Sequence, residues 1–389
     1  MEFAKRLNNV TGSAIREIFS LLAQPGMISF AGGNPSPDSF PTEDLAAIAN
    51  TLIREKGTHV LQYGGTPGIV SLKETVIGMA VKRGIKALPE EVIITSGSTQ
   101  GIGLAAKTLI NPGDVVLVES PTFIGALQTF LTFEANVKGV AMDDNGMIIE
   151  DLEEKIIKYR PKFVYTIPTF QNPTGRTMPA DRRRRMIDVC EKYGVLILED
   201  DPYCDLKYSG DSVLPVKSED KSNCVIYLMS FSKIISPGLR VGAAVADKRI
   251  VEKYNIAKQG EDLHTSNLSQ EIVDAYVLSG KLKPHIESIC LSYREKRDAM
   301  LKKFETFPEG INYTRPDGGL FIWVCLPKGM DAVNLFKLCV KEGVAFVPGT
   351  HFFPEGGNMN TMRLNFSMPS LDQIDKGMDT LKNVIVKNI

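Results

Sequence analysis

Seven short runs of Val, Ile and Leu, spread through residues 90–250, narrow the folds open to this chain. They are Val92–Thr95, Val115–Glu119, Val137–Ala141, Phe163–Ile167, Val195–Glu199, Val225–Met229 and Val241–Ala244. Polar residues hardly alternate within them, so neither face of such a strand suits water, and helical patterns lie between them. Strands of this kind belong to a mainly parallel, mixed sheet sandwiched by helices. The spacing therefore predicts an α/β fold. With 389 residues, 43% of them hydrophobic, the chain holds more than one compact core usually takes, so a second, smaller α+β lobe is expected. The alternation fades near residue 250, and a helical stretch from Pro284 to Phe307 leads into that lobe.

Charge excludes some functions. The 45 basic and 46 acidic side chains leave a net charge of −1, which gives no general pull toward nucleic acid or an anionic membrane. The one basic run, Arg182 to Arg185, falls in a helical segment from Asp181 to Tyr193 and reads as a solvated helix face. Cysteines at 190, 204, 224, 290, 325 and 339 form no C-x-x-C pair, and histidines at 59, 264, 285 and 351 show no metal-ligand spacing. No metal is expected. With no spanning apolar run and no signal-peptide core, the sequence predicts a cytoplasmic protein that neither enters a membrane nor is exported.

In open α/β sheets ligands sit beyond the C-terminal ends of strands. Five strand ends run into unusual segments: Ser96 to Gln100, Ser120 to Phe123, Pro168 to Gly175, Asp200 to Tyr203, and Ser230 to Lys233. Five such segments on one sheet edge would form one site. Gly97-Ser98-Thr99-Gln100 ends a strand and opens a helix, a place where free N–H groups and the helix dipole attract anions. Asn172-Pro-Thr-Gly175 is a turn that offers the Asn172 amide to a ligand. Asp200 closes a buried strand, where an unpaired charge is costly, and a protonated pyridine nitrogen would suit it. Lys233 is the residue type for Schiff-base chemistry, while Arg240 and the hydroxyls of Ser230 and Ser232 suit a phosphate.

Two other patterns compete. Gly101-Ile-Gly103-Leu-Ala-Ala106 matches a dinucleotide-binding fingerprint, with Glu119 near the offset of a ribose-binding acid, which would make the chain an NAD-dependent dehydrogenase. Against it, five residues separate the strand end from the first glycine, and the reading gives Asp200, Tyr203 and Lys233 nothing to do. Ser230-x-x-Lys233 matches the nucleophile motif of β-lactamases, but their S-D-N and K-T-G partners do not occur in the chain.

Over nearly its whole length the sequence resembles the fold type I pyridoxal-phosphate-dependent aminotransferases, most of all the group of 2-aminoadipate and kynurenine aminotransferases. The resemblance is carried by Ser29 to Gly33, Gln62 to Gly65, Thr95 to Ser98, Asn172 to Gly175, Asp200 to Tyr203, Ser230 to Lys233, Arg240 to Gly242, Val347 to Gly349 and Arg363 to Ser367, in that order. It implies an aspartate-aminotransferase-like large domain over residues 46–290. A small domain would be made of residues 1–45 and 291–389.

The resemblance also implies roles. Lys233 holds pyridoxal 5′-phosphate as a Schiff base and moves the substrate proton. Asp200 pairs with the pyridine nitrogen. Asn172 and Tyr203 hydrogen-bond the 3′-oxygen, and Phe123 stacks on the ring. Ser98, Thr99, Gln100, Ser230, Ser232 and Arg240 hold the phosphate, and Tyr63 reaches the phosphate of a partner in a homodimer with shared active sites. Arg363 binds the substrate α-carboxylate beside the Gly33 backbone. Arg16, on an N-terminal helix capped by Ser13 and packed through Ile15, Ile18, Phe19 and Leu22, faces a distal substrate carboxylate. The expected reaction moves an amino group between an α-amino acid and a 2-oxo acid, with 2-oxoglutarate as the expected 2-oxo acid. Competing readings on this scaffold are a lyase or decarboxylase and a ligand-sensing transcription regulator. The latter carries an N-terminal DNA-binding domain, for which the motifs beginning by residue 30 leave no room.

Overall fold

The computed structural model describes residues 3–7 and 26–388. Arg16 and the helix expected around it lie outside the described residues. After the short β1 (Ile28–Ser29), the seven apolar runs become β2 (Val92–Thr95), β3 (Val115–Ser120), β4 (Asn136–Asp143), β6 (Phe163–Thr166), β7 (Leu196–Asp201), β8 (Val225–Ser230) and β9 (Gly242–Val245). A two-residue edge strand, β5 (Gly146–Met147), folds back on β4. Together β2 to β9 form one eight-stranded sheet in the order β2-β9-β8-β7-β6-β3-β4-β5.

Both faces of this sheet are covered. Leu117, Val164 and Ile197 point into one core, with Met186 and Cys190 of the helix Ala180–Tyr193. Their strand neighbours Val118, Tyr165 and Leu198 point into the other, larger core. That two-sided burial is why the runs lack polar alternation. β4, β3, β6, β7 and β8 are mutually parallel. β9 returns antiparallel to β8, pairing Gly242 with Ser230. The link from Phe231 to Val241 is too short for a parallel crossover, which needs a dozen or more residues. It therefore keeps Lys233 and Arg240 at the same sheet edge. Chain order reverses between β3 and β6, which opens a crevice where such sheets take their ligands.

Eleven α-helices are present among the described residues. The helix Leu282–Phe304 starts before Pro284, which is tolerated because a first-turn N–H has no helical partner to lose. It leads to β10 (Asn312–Tyr313), β11 (Phe321–Cys325), β12 (Val344–Ala345), β13 (Val347–Pro348) and β14 (Thr361–Asn365). β10, β11, β14 and β13 form a four-stranded antiparallel sheet, and β12 pairs in parallel with β1. No described helix is long and apolar enough to cross a membrane.

The arginine run corrects the sequence reading. Arg182, Arg184 and Arg185 do meet acids near the surface, Asp143, Glu219 and Glu150. Arg183 is instead 2% exposed. Its guanidinium donates to the carbonyls of Met178, Pro168 and Leu214 at 2.8–2.9 Å and to Thr169 Oγ1. It clamps the loop that follows β6, whose carbonyls no sheet or helix satisfies. Arg183→Ala strands the Met178 carbonyl and the Thr169 hydroxyl in the interior, where each unmet buried group costs about 1–3 kcal/mol, while the Pro168 carbonyl keeps the Met178 N–H. A loss of at least ~3 kcal/mol in denaturant unfolding is expected, and a loss under ~1 kcal/mol would show that the loop holds itself.

Candidate active site

The five strand-end segments converge on one cavity of about 420 Å³. Ser98 and Thr99 border it from the start of the helix that follows β2, Phe123 from the loop after β3, and Asn172 from that after β6. Asp200 and Tyr203 enter from β7, and Ser230, Ser232, Lys233 and Arg240 from the β8–β9 link. The small domain contributes Arg363 from β14, and the segment after β1 contributes Gly33. Asn34, Gln128 and Phe352 also line the wall, and the sequence reading did not include them. They stand outside the quoted motifs, so only the fold brings them in.

Lys233 sits at the centre. Its Nζ donates to the Gly33 carbonyl at 2.8 Å. Burial pushes its ammonium down to about 8, helped by the charges of Arg363 and Arg240 and opposed by Asp200. A lysine so placed is a free amine for an appreciable time near neutral pH. Asp200 is 2% exposed, and burial pushes its carboxyl up to about 7 against the hydrogen bond from Tyr165. The Tyr165 hydroxyl donates to Oδ2 at 3.0 Å, while the buried Oδ1 has no protein partner. A buried acceptor left open at a cavity wall is a place for a ligand donor.

Arg363 is fully engaged on one side. Nη1 donates to Asn172 Oδ1 at 2.9 Å and Nη2 to the Ala31 carbonyl at 2.8 Å. Its guanidinium lies 4.2 Å from the Phe321 ring centroid and 5.1 Å from that of Phe352, and Nε has no protein partner. Burial lowers it to about 10, so it stays charged at neutral pH. The Asn172 amide nitrogen in turn lies 3.5 Å from the Tyr203 hydroxyl, so its two ends join Arg363 to Tyr203.

A second cation marks the other end of the site. Arg240 Nη2 donates to the Ser96 carbonyl at 2.9 Å. Gly97, at φ +83°, caps the helix Ser98–Leu109 without a side chain of its own, and a Cβ there would collide with the Arg240 guanidinium. Glycine is thus required both by the left-handed backbone and by the arginine lying over it. The first turn of this helix, the two hydroxyls of Ser98 and Thr99, and Arg240 make an anion cradle. The charged groups on the cavity wall are Lys233, Arg240, Arg363 and Asp200. Three cations to one anion suit a ligand with more than one negative charge.

Three expected residues stand elsewhere. Gln100 does not face the cavity. Its Oε1 accepts from Ser96 N and Lys258 Nζ, and its Nε2 donates to Asp262 Oδ2 at 2.8 Å, so its side chain braces the cradle from behind. Tyr63 is 80% exposed, away from this chain's cavity, with His264 edge-on at 5.9 Å. Arg16 lies outside the described residues. The dinucleotide pattern fails on geometry. Gly101 and Gly103 lie inside the helix, where a Cβ on Gly101 would meet Leu228 at 2.7 Å. Glu119 is buried and accepts from Thr166, Ile167 and Gln171, which leaves no carboxylate for a ribose.

Residues 25–381 match the family model for aminotransferase class I and II. The chain is 40% identical over 390 residues to aromatic-amino-acid aminotransferase 1 of Thermococcus litoralis, covering 98% of this chain and 94% of that one. Its fold is similar to that of Pyrococcus horikoshii kynurenine aminotransferase, solved in complex with PMP, KYN and KYA. The TM-score is 0.96 at 41% identity, over 100% of this chain and 97% of that one. It is also similar to LysN, the alpha-aminoadipate aminotransferase of Thermus thermophilus, complexed with N-(5'-phosphopyridoxyl)-L-leucine. There the TM-score is 0.92 at 39% identity, over 99% and 97% of the two chains.

The raised carboxyl of Asp200 has a consequence for stability. Between the ordinary aspartate value of 3.8 and about 7, the folded ligand-free protein keeps a proton that the unfolded chain has lost. Its stability therefore falls as pH rises through that window. Asp200→Asn removes the ionisation. The ligand-free variant should melt higher than the parent, by on the order of a few kcal/mol at pH 8 and by much less at pH 5. Equal gains at the two pH values would mean that Asp200 ionises normally.

Proposed function

This chain belongs to the aminotransferase class I and II family, and from that premise we propose which of its residues carry the reaction. Its activity is pyridoxal-phosphate-dependent transfer of an amino group between an α-amino acid and a 2-oxo acid. The observation that carries the assignment is the meeting of Lys233, the open Oδ1 of Asp200 and two separate arginines in one cavity.

The residues fit the cofactor. The cradle of Ser98, Thr99 and Arg240, extended by Ser230 and Ser232, would hold its phosphate. Asp200 Oδ1 would accept from the ring nitrogen and satisfy an acceptor that the protein leaves open. Phe123 would lie on the ring, and Asn172 with Tyr203 would meet the ring oxygen. When bound, the cofactor supplies an electron-poor ring that takes up the negative charge left at Cα when its proton departs. Asp200 would support this by holding a negative charge against the ring nitrogen.

Lys233 Nζ both holds the cofactor and moves the Cα proton. Burial and two neighbouring arginines make it a better base near neutral pH than a surface lysine, and it is already in place. Arg363 Nε, buried and open, would take the substrate α-carboxylate, with Asn172 and the Ala31 carbonyl fixing the guanidinium plane. Anchoring the carboxylate fixes which Cα bond faces Lys233.

The cavity wall also includes Phe352 and Ile124, which suit an apolar or aromatic donor. With the relatives named for aromatic amino acids, kynurenine and alpha-aminoadipate, we assign donors of these classes and 2-oxoglutarate as acceptor. The six free thiols accord with a cytoplasmic enzyme.

Lys233→Ala should lower turnover by at least about a thousandfold, as expected for loss of a residue that is both attachment point and base. The variant should still bind cofactor through the cradle, but borohydride should no longer fix that cofactor covalently to the protein, as it does in the parent. Turnover within tenfold of the parent would remove Lys233 from this role. The assembly is a homodimer in this reading. The exposed Tyr63, with Leu61 and Val70 exposed near it, would be covered by a second copy and reach its phosphate site. Sedimentation should find a dimer at assay concentration, and a fully active monomer would refute the shared site.

A further inference from the structure

β7 ends in three consecutive acids, and each is met differently. Glu199 accepts the backbone N–H groups of Val216 and Lys217. Asp201 accepts the Tyr227 hydroxyl from β8 at 2.7 Å, and Arg83 donates to that same hydroxyl at 2.8 Å. Asp200 accepts the Tyr165 hydroxyl from β6 at 3.0 Å. So the two strands flanking β7 each place a tyrosine against one of its aspartates. Of these two, only Asp200 borders the cavity.

We propose that Tyr165 is a positioning residue, whose hydroxyl ties up Asp200 Oδ2 and so holds Oδ1 toward the ring nitrogen of the cofactor. This rests on the reading of Asp200 given above. A carboxylate is two-fold symmetric, and an unrestrained one can turn either oxygen, or neither, to a ligand. Tyr165 breaks that symmetry. Its ring cannot follow a moving carboxylate, because it is fully buried on the central strand β6 with Phe130 edge-on at 5.7 Å. The choice of donor matters too. A buried lysine or arginine on Oδ2 would neutralise the carboxylate, whereas a phenol donates one hydrogen bond and leaves the charge where the ring nitrogen needs it. The neighbouring Asp201 adds to the upward push on Asp200, and one of its own oxygens is engaged with Tyr227.

Tyr165→Phe keeps the ring and its packing and removes one oxygen. The test compares binding of pyridoxal 5′-phosphate with that of its 1-deaza analogue, in which a C–H replaces the ring nitrogen, to cofactor-free protein by equilibrium dialysis. The parent should prefer the natural cofactor, and the preference should shrink roughly tenfold in Tyr165→Phe, the scale of one charge-assisted hydrogen bond. The pH at which the buried Asp200 carboxyl ionises, followed by infrared difference against Asp200→Asn, should also move upward, because a donor to the charged form has gone. A purely structural tyrosine would change neither ratio nor ionisation. An unchanged preference in Tyr165→Phe beside a discriminating parent overturns the proposal alone. A parent that binds both compounds equally overturns the reading of Asp200, and this proposal with it. If Tyr165→Phe does not fold, Tyr165→Met, which fills the space without a donor, serves in its place. A preference below the parent's supports the positioning role, and one equal to it overturns the proposal.

Discussion

A strand covered on both faces can place a polar side chain only near its end. In this chain the central strands bury alternate residues in two different cores, so that Leu117 and Val118, or Val164 and Tyr165, point in opposite directions into apolar surroundings. Polar groups collect instead where the strands run out. Because six of those strands run the same way, β2 among them through its two antiparallel steps across β9, their ends lie on one edge. The short return from β8 to β9 keeps Lys233 and Arg240 on that same edge. The site therefore follows from the sheet: backbone pairing places Asp200 and Lys233 on adjacent strands and their continuation, with no loop having to find its way there.

Burial then tunes what the sheet has gathered. Taking Lys233 out of water lowers it to about 8, and taking Asp200 out raises it to about 7. Each change weakens the folded protein, since a charged group in the interior is stabilised less than in water. The same change makes the lysine a usable base and leaves a carboxylate eager for a cationic partner. The fold tolerates this because the surrounding strands supply the stability. Arg363 is as deeply placed, and burial lowers it too, but only to about 10, so it keeps its charge at neutral pH.

Much of this was legible in the sequence. A run such as Val-Ile-Tyr-Leu-Met, ending in Ser-Phe-Ser-Lys, states both a buried strand and a polar end, and β8 with Lys233 is what forms. What escaped was the behaviour of side chains in three dimensions. Arg183 was indistinguishable from Arg182, Arg184 and Arg185 in the sequence, because the carbonyls it satisfies come from a loop about fifteen residues earlier and from Leu214. Tyr165 left a faint trace, a hydroxyl inside a buried strand, which had to find a partner. Only the pairing of β6 with β7 says that the partner is on Asp200. Gln100 sat in a motif whose other members face the cavity. At position 100 the helix has turned, so its amide faces the body of the protein.

That turn has structural value of its own. Lys258 is fully buried and holds Gln100 Oε1 at 2.6 Å, both Asp262 oxygens at 2.9 Å and Thr265 Oγ1 at 3.1 Å. Asp262 also accepts from the Ser96 hydroxyl, and the carbonyl of Ser96 is the one that Arg240 grips. The loop from Lys258 continues to His264, whose Nε2 accepts from Gly64 N while its ring meets Tyr63. An anion cradle works only if its donors are fixed before the anion arrives, because donors that must first be ordered lose part of the binding energy to entropy. Here the fixing is done from behind by a connected set of hydrogen bonds around the buried Lys258. The same set reaches Tyr63, so the cradle inside this chain and the exposed ring next to it belong to one hydrogen-bonded body.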